Sequence, residues 1–182
     1  MRIAILAIGT LAVSLCPAVR AATLEKLELD DMIRKASEIV RGQVTAKNVT
    51  RQGAIIYTEA TVTVTERLKG ETKKTVKVST PGGSIDGVTQ TFPGSPNLHT
   101  GAEYVFFLWT GKSGVTQIVG LSQGLLDLTE AVTASGAKLS RAAIADGVVD
   151  PDTGKRVADA PVSLTLGTLR SRVRSVLGAA KE

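Results

Sequence analysis

One cysteine, one histidine and one tryptophan are all that 182 residues contain of these types, and aromatic residues make up only 3% of the chain. The cysteine, Cys16, lies in an apolar N-terminal segment that reads as a removable leader. Disulfides and thiolate metal sites are then both excluded from the remaining chain. A single histidine, His99, excludes the two-histidine HExxH zinc motif and forces any Ser-His-Asp or Cys-His arrangement through one residue. That residue sits among prolines and glycines with no nucleophile of recognisable context beside it, and it reads as a surface or loop-packing group. Long apolar runs are missing as well: beyond residues 3–15, nothing approaches the roughly 20 residues that a membrane-spanning helix needs.

The N-terminus itself is informative. Arg2, the apolar run 3–15, Pro17 and the small-residue pattern Val19-Arg20-Ala21 have the charge, core and cleavage site of a secretory signal peptide. Residues 1–21 are expected to be a leader, and residues 22–182 a single β-rich domain exported to the periplasm or the cell exterior. Leu15 stands where a bacterial lipobox wants a small residue before the cysteine, so lipidation of Cys16 is not expected. A 21-residue leader leaves 161 of the 182 residues, enough for one domain with a core. The formal charge of +5 falls to +3 once Arg2 and Arg20 are gone. That balance is compatible with loose attraction to anionic envelope polymers and equally with ordinary solubility.

Along the chain, residues 24–36 place Leu29, Met32, Ile33 and Ala36 at helical spacing, with acidic residues toward the end where the helix dipole favours them. Residues 39–47 alternate as a half-buried strand, in which Gly42 allows a bulge or a close backbone approach. A polar turn is expected at 48–53. The run 55–68 then has the clearest strand pattern, with Ile56, Ala60, Val62, Val64 and Leu68 opposite a Thr- and Glu-rich face. At about 3.4 Å per residue it would span some 45 Å, so a bend is expected, as in a sheet that curls. Strands follow at 76–78 and 87–92. Residues 104–109 are apolar on both parities, which predicts cover on both faces. Further strands are expected at 115–119 and 125–128, with short strands and loops over 131–160. A C-terminal helix carries Leu166, Leu169, Val173 and Val176, capped by Thr165.

The stretch 80–109 concentrates the unusual residues, holding five of the six aromatics and three of the six prolines. Pro81, Gly82, Gly83, Pro93, Gly94, Pro96 and His99 make it the first candidate binding loop. Pro81-Gly82-Gly83 matches neither GxxxxGK[ST] nor GxGxxG, and no helical pattern follows, so it reads as a turn or bulge and not as a phosphate cradle. The second candidate is a basic hairpin, Arg67, Lys69, Lys73 and Lys74 with Lys77 nearby. No aromatic is interleaved there to stack a base, so nucleic acid is not expected; a solvated edge that resists strand addition accounts for the lysines equally well. Asp150, Asp152 and Gly154 are spaced D-x-D-x-G, yet the remaining ligands of a calcium loop are missing, and a plain Asp-Pro-Asp-Thr-Gly turn is favoured.

The segments Ile39-Val-Arg-Gly-Gln-Val44, Tyr57 through Glu66-Arg-Leu-Lys-Gly70, Val76-Lys-Val-Ser-Thr-Pro-Gly-Gly83, Pro93-Gly-Ser-Pro96 and Gly101-Ala-Glu-Tyr-Val-Phe-Phe-Leu108 together resemble a group of uncharacterised exported bacterial proteins. Over residues 37–109 the pattern is also similar to the netrin-like domain of the tissue inhibitors of metalloproteinases. That resemblance implies an OB-type barrel. In those inhibitors an N-terminal cysteine chelates the protease zinc, a role that no residue of this chain matches.

The expectation is therefore mainly β: an OB-like five- or six-stranded antiparallel barrel or curled sheet with an N-terminal and a C-terminal helix. Functionally, the sequence points to an exported, non-enzymatic binding or structural module acting on a protein or an anionic envelope polymer. It carries no cofactor or metal site, and the alternative is a protease inhibitor of netrin-like architecture.

Overall fold

The longest alternating run of the sequence forms the frame of the fold. In the computed structural model, which describes residues 24–179 except 72, 134, 135 and 146, two strands of 15 residues each, β1 (Glu38–Gln52) and β2 (Ile55–Lys69), pair antiparallel around a tight turn. Gly53 makes that turn at φ +61. The expected leader and Cys16 lie outside the described residues.

The ribbon does not stay flat. Pairing shifts at three points, leaving Leu68 and Thr65 of β2 and Thr45 of β1 without opposite numbers, and each extra residue adds local bend and twist. Gly42 lies at one of these bulges, where a Cβ would sit 2.6 Å from both the Thr63 carbonyl oxygen and Val62 Cγ1. The strand also runs through 48–52, where a turn was expected. Those residues are largely exposed, and ladder bonds to β2 rather than burial hold them extended.

After β2 come β3 (Thr75–Pro81), the small hairpin β4 (Gly83–Ile85) and β5 (Val88–Gln90), then β6 (Glu103–Thr110) and β7 (Thr116–Ile118). A 3-10 turn (Leu121–Gly124) leads into β8 (Leu125–Thr133), β9 (Gly136–Arg141), β10 (Val148–Val149), β11 (Arg156–Val157) and β12 (Val162–Thr165). Two helices flank the strands, α1 (Leu29–Lys35) and α2 (Leu166–Ala179). The N-terminal helix is shorter than the periodicity of 24–36 suggests. Its first residues are instead tied down as extended chain, with Lys26 donating to the Val149 carbonyl and Val149 to that of Leu24.

One antiparallel sheet of eight strands runs β12-β9-β8-β6-β1-β2-β3, with β7 on the same edge of β6 that β8 uses further along. This corrects the expected barrel in two respects. The sheet has more strands than five or six, because β9 and β12 extend it past β8. It is also not closed: β3 comes within 8 Å of β7, Cα to Cα, without pairing to it. β7 ends after three residues, and Gly120, at φ +62, turns the chain away.

Two apolar clusters lie on opposite faces of β6, as its double apolar parity predicts. Tyr104, Phe106 and Leu108 point into the curl with Val40, Val44, Val62, Val78, Ile118 and Leu98. Val105 and Phe107 face outward beneath Met32 and Ile33 of α1 and Leu169 and Val173 of α2, joined by Leu126 and Leu139. Arginine forks hold the cover in place: Arg170 grips Glu66 at 2.6 and 2.7 Å, and Arg172 grips Asp30 at 2.6 Å through each nitrogen. Helix α2 starts where expected, with the Thr168 amide donating to Thr165 Oγ1 at 3.1 Å.

Candidate binding loop

Between β3 and β6 the chain makes its longest excursion from the sheet, and almost every turn of it is hydrogen-bonded. Asp86 (φ +51) and Gly87 (φ +74) form the two-residue turn of the β4–β5 hairpin, both left-handed, as a primed hairpin turn requires. The strand expected over 87–92 is thus shorter, running only from Val88 to Gln90 as the second arm of this hairpin. Gln90 then works as a side-chain peptide group: its Oε1 accepts from the Ile56 amide and its Nε2 donates to the Ala54 carbonyl, both at 2.8 Å. Gly83, at φ +142, has no room for a side chain, since a Cβ would lie 2.8 Å from Thr58 Oγ1. Thr58 in turn donates to the Gly82 carbonyl at 2.8 Å, and Ser95 Oγ donates to that of Pro81 at 2.6 Å.

The second half of the loop is fastened to β1. Lys47 Nζ donates to the Leu98 carbonyl at 2.8 Å, Gln43 Nε2 to the Gly101 carbonyl at 2.8 Å, and the Gly101 amide to the Val44 carbonyl at 2.7 Å. The His99 amide donates to the Tyr104 hydroxyl at 3.1 Å. Leu98 drops into the curled interior and is almost fully buried there. At the foot of the loop, burial of Glu103 works against its charge. The Arg41 guanidinium, with Nη2 donating to Oε2 at 2.9 Å, and the Thr65 hydroxyl at 2.8 Å outweigh it, holding the carboxyl below the usual range.

These fastenings leave a cavity of about 260 Å³ between the loop and the β1–β2 ribbon. Of the candidate residues, Pro81, Gly82, Gly83 and Pro96 line it; Lys47, Thr58, Gln90, Phe92 and Leu98 also contribute, none of them anticipated. Leu98 and Phe92 had one legible signal, being the apolar residues of a Pro- and Gly-rich stretch. Pro93 is exposed outside the cavity. Gly94 turns away from it at φ +74 toward Leu24, and lines a second groove of about 360 Å³ with Ser95, Ser122, Asp127 and Arg141. His99 is exposed and borders neither space. Among the described residues, no hydrogen bond joins its ring to Asp127 or to either serine.

The basic hairpin is elsewhere, and much of it is turned to structural use. Arg67 Nη1 donates to Glu38 Oε2 at 2.7 Å, with both side chains only 11% exposed. Lys69 Nζ donates to the Ile33 and Arg34 carbonyls at the C-terminal end of α1, at 2.7 and 3.2 Å, where the helix dipole welcomes a cation. Burial lowers the pKa of Lys69. Lys73 stands 3.6 Å from Glu38, Lys77 bonds Glu59 at 2.9 Å on the open edge strand β3, and Lys74 is exposed.

No protein-family model matches the chain, and no curated protein sequence does either. The site is thus described by its own geometry. Residues 150–154 form the expected turn, in which Asp150 Oδ1 accepts from the Asp152 and Thr153 amides and from the Thr153 hydroxyl. Among the described residues, no group of three or more His, Cys, Asp or Glu side chains is arranged to hold a metal ion. Likewise, no described helix is long and apolar enough to cross a membrane.

Proposed function

We propose that the protein is an exported, non-enzymatic binding module, periplasmic or extracellular, whose 81–101 loop receives a segment of a partner protein. The observation that carries this reading is the cavity beneath the loop: it has mixed polar and apolar walls, and its shape is fixed before any ligand arrives by the bonds of Gln90, Ser95, Lys47 and Thr58. A preorganised site spends less of its binding energy on ordering. Lys47, the one cation among the described residues of the wall, already bonds the Leu98 carbonyl, which favours a protein segment over an anionic envelope polymer.

An OB-like classification of the sheet belongs to this proposal, supported by the bulged β1–β2 ribbon that wraps an apolar interior. Netrin-like protease inhibition is the second reading; it shares that support, and a metalloprotease panel without inhibition at micromolar protein removes it. The main reading is tested with the protein as bait against native envelope and secreted fractions, alongside a Pro93→Ala/Pro96→Ala variant of unchanged melting temperature. The expected result is a partner retained by the parent and lost by the variant. Equal retention by both sinks the loop assignment.

A further inference from the structure

The far end of β6 carries a different surface. Trp109 is the only tryptophan of the chain, and it is 42% exposed although its neighbours Leu108 and Phe107 are fully buried. It opens onto a cleft of about 390 Å³, within the roughly 300–1,000 Å³ typical of ligand pockets. Leu27, Val119 and Gly120 line the cleft, and Glu25 and Lys35 stand at it 3.6 Å apart with about half of each side chain exposed.

This cleft is built, not incidental. The buried Gln123 side chain accepts from the Leu27 amide at 2.9 Å and donates to the Glu25 carbonyl at 2.8 Å, so one amide fixes two lining residues. The Val119 amide is held by the Phe107 carbonyl at 2.8 Å. Gly120 is left-handed at φ +62, a conformation that other residues rarely adopt, and it lets the chain turn close against Leu27.

We propose that this cleft is a saccharide site, taking one pyranose ring of a neutral glycan. A pyranose has an apolar face of C–H groups and an edge of hydroxyls. The first matches the part of the indole that is left exposed. The second matches a carboxylate that accepts and an ammonium that donates. Glu25 and Lys35 sum to no net charge, which suits a neutral ligand better than an anionic one. A broad protein interface is not favoured, because the only other large apolar side chain described as exposed is Val88, on the β4–β5 hairpin. The cleft shares no lining residue with the cavity beneath the loop.

The single tryptophan makes the test direct. Purified protein is titrated with the β-1,4-linked tetrasaccharide of N-acetylglucosamine while indole emission is followed, and its retention on chitin is measured in parallel. The expected result is a saturable blue shift at millimolar sugar. Retention should fall about tenfold in Trp109→Ala, the size of one lost aromatic contact, and to an intermediate degree in Trp109→Phe, with melting temperatures unchanged. The Pro93→Ala/Pro96→Ala variant should bind sugar as the parent does, so failure of the loop reading and failure of this one are distinguishable. An emission spectrum unmoved at millimolar sugar overturns the proposal, as does retention indifferent to Trp109→Ala. A Trp109-dependent dimer at the same protein concentration also overturns it, in favour of a second copy as the occupant.

Discussion

The two faces of β6 are equally apolar but differently covered. Outward, Val105 and Phe107 lie under α1 and α2, which are separated by 130 residues of chain; an arginine fork ties α2 to Asp30 of α1, and a second ties it to Glu66 of β2. Inward, Tyr104, Phe106 and Leu108 are covered by the curl of the sheet and by Leu98, a residue of the loop that leads directly into the strand. The outer cover is scaffolding. The inner cover is continuous with the candidate site, so packing inside the curl and the shape of the loop cavity are coupled through a few residues.

The strongest way to break that comparison is to truncate each face of β6 in turn. Phe106→Ala and Phe107→Ala each remove a fully buried ring and should each cost about 3–5 kcal/mol in urea denaturation. They differ in where the damage appears. Amide exchange should quicken in 91–101 and β3 for Phe106→Ala, and in α1 and α2 for Phe107→Ala. If both variants loosen the same amides, the two faces form one cooperative layer and the distinction fails.

Leu98→Ala sharpens the inner side. Its cost should fall at the low end of the range for buried leucine, about 2–3 kcal/mol, because a loop collapses onto a small void more easily than a sheet does. Partner retention should drop with it, even where the fold persists. Full retention in a destabilised Leu98→Ala protein would uncouple loop shape from the interior.

How much of this was legible depends on what holds each element in place. β2 and β6 announced themselves because burial holds them, and burial writes a period into the sequence: two-sided for β6, one-sided for β2. Gly42 was legible for a related reason, since only a bulge or a close approach justifies glycine in mid-strand. Elements held mainly by hydrogen bonds left no such trace. Residues 48–52 look like a turn, and β12, at four residues, is too short to show alternation. The basic hairpin misled for another reason. Arg67 and Lys69 look like a surface cluster by spacing, but Glu38 and the carbonyls of Ile33 and Arg34 meet them from 29 to 36 residues away. Conversely, the loop was visible by composition, while its cavity was not, because Lys47 and Thr58 come from strands whose sequence gives no reason to look there.

A smaller effect tests the outer cover alone. Thr165→Ala removes the hydroxyl that caps α2 and should cost about 1 kcal/mol by denaturation. Binding by the loop should be unchanged. A loss of partner retention in this variant would show that the helix layer communicates with the site after all.

The smallest expected effect concerns pH, and its sign separates two kinds of carboxylate. Burial works against ionisation of Glu103 and of Asp159. The guanidinium of Arg41 and the Thr65 hydroxyl prevail at Glu103, and the guanidinium of Arg141 and the Ile144 amide at Asp159, holding both pKa values below the ordinary range. Their contribution is therefore present above the unfolded values, near 4, and lost as pH falls through the lower folded ones. Asp127, paired across the sheet with Tyr104, is the opposite case: partial desolvation of its carboxyl raises its pKa although the residue is largely open to solvent, and the neighbouring His99 only partly offsets this. Its contribution to stability is fully present below the unfolded value and lost as pH rises through the folded one, so at neutral pH its charge opposes folding. Asp127→Asn should accordingly raise the melting temperature at pH 7 by the equivalent of no more than about 0.5 kcal/mol, as befits an exposed position. The difference should shrink as pH falls through about 3.9 and vanish well below it, where the carboxyl is protonated in both states. A gain that persists unchanged in acid would mean that the asparagine acts through packing or hydrogen bonding, and that Asp127 carries no electrostatic strain on the inner face.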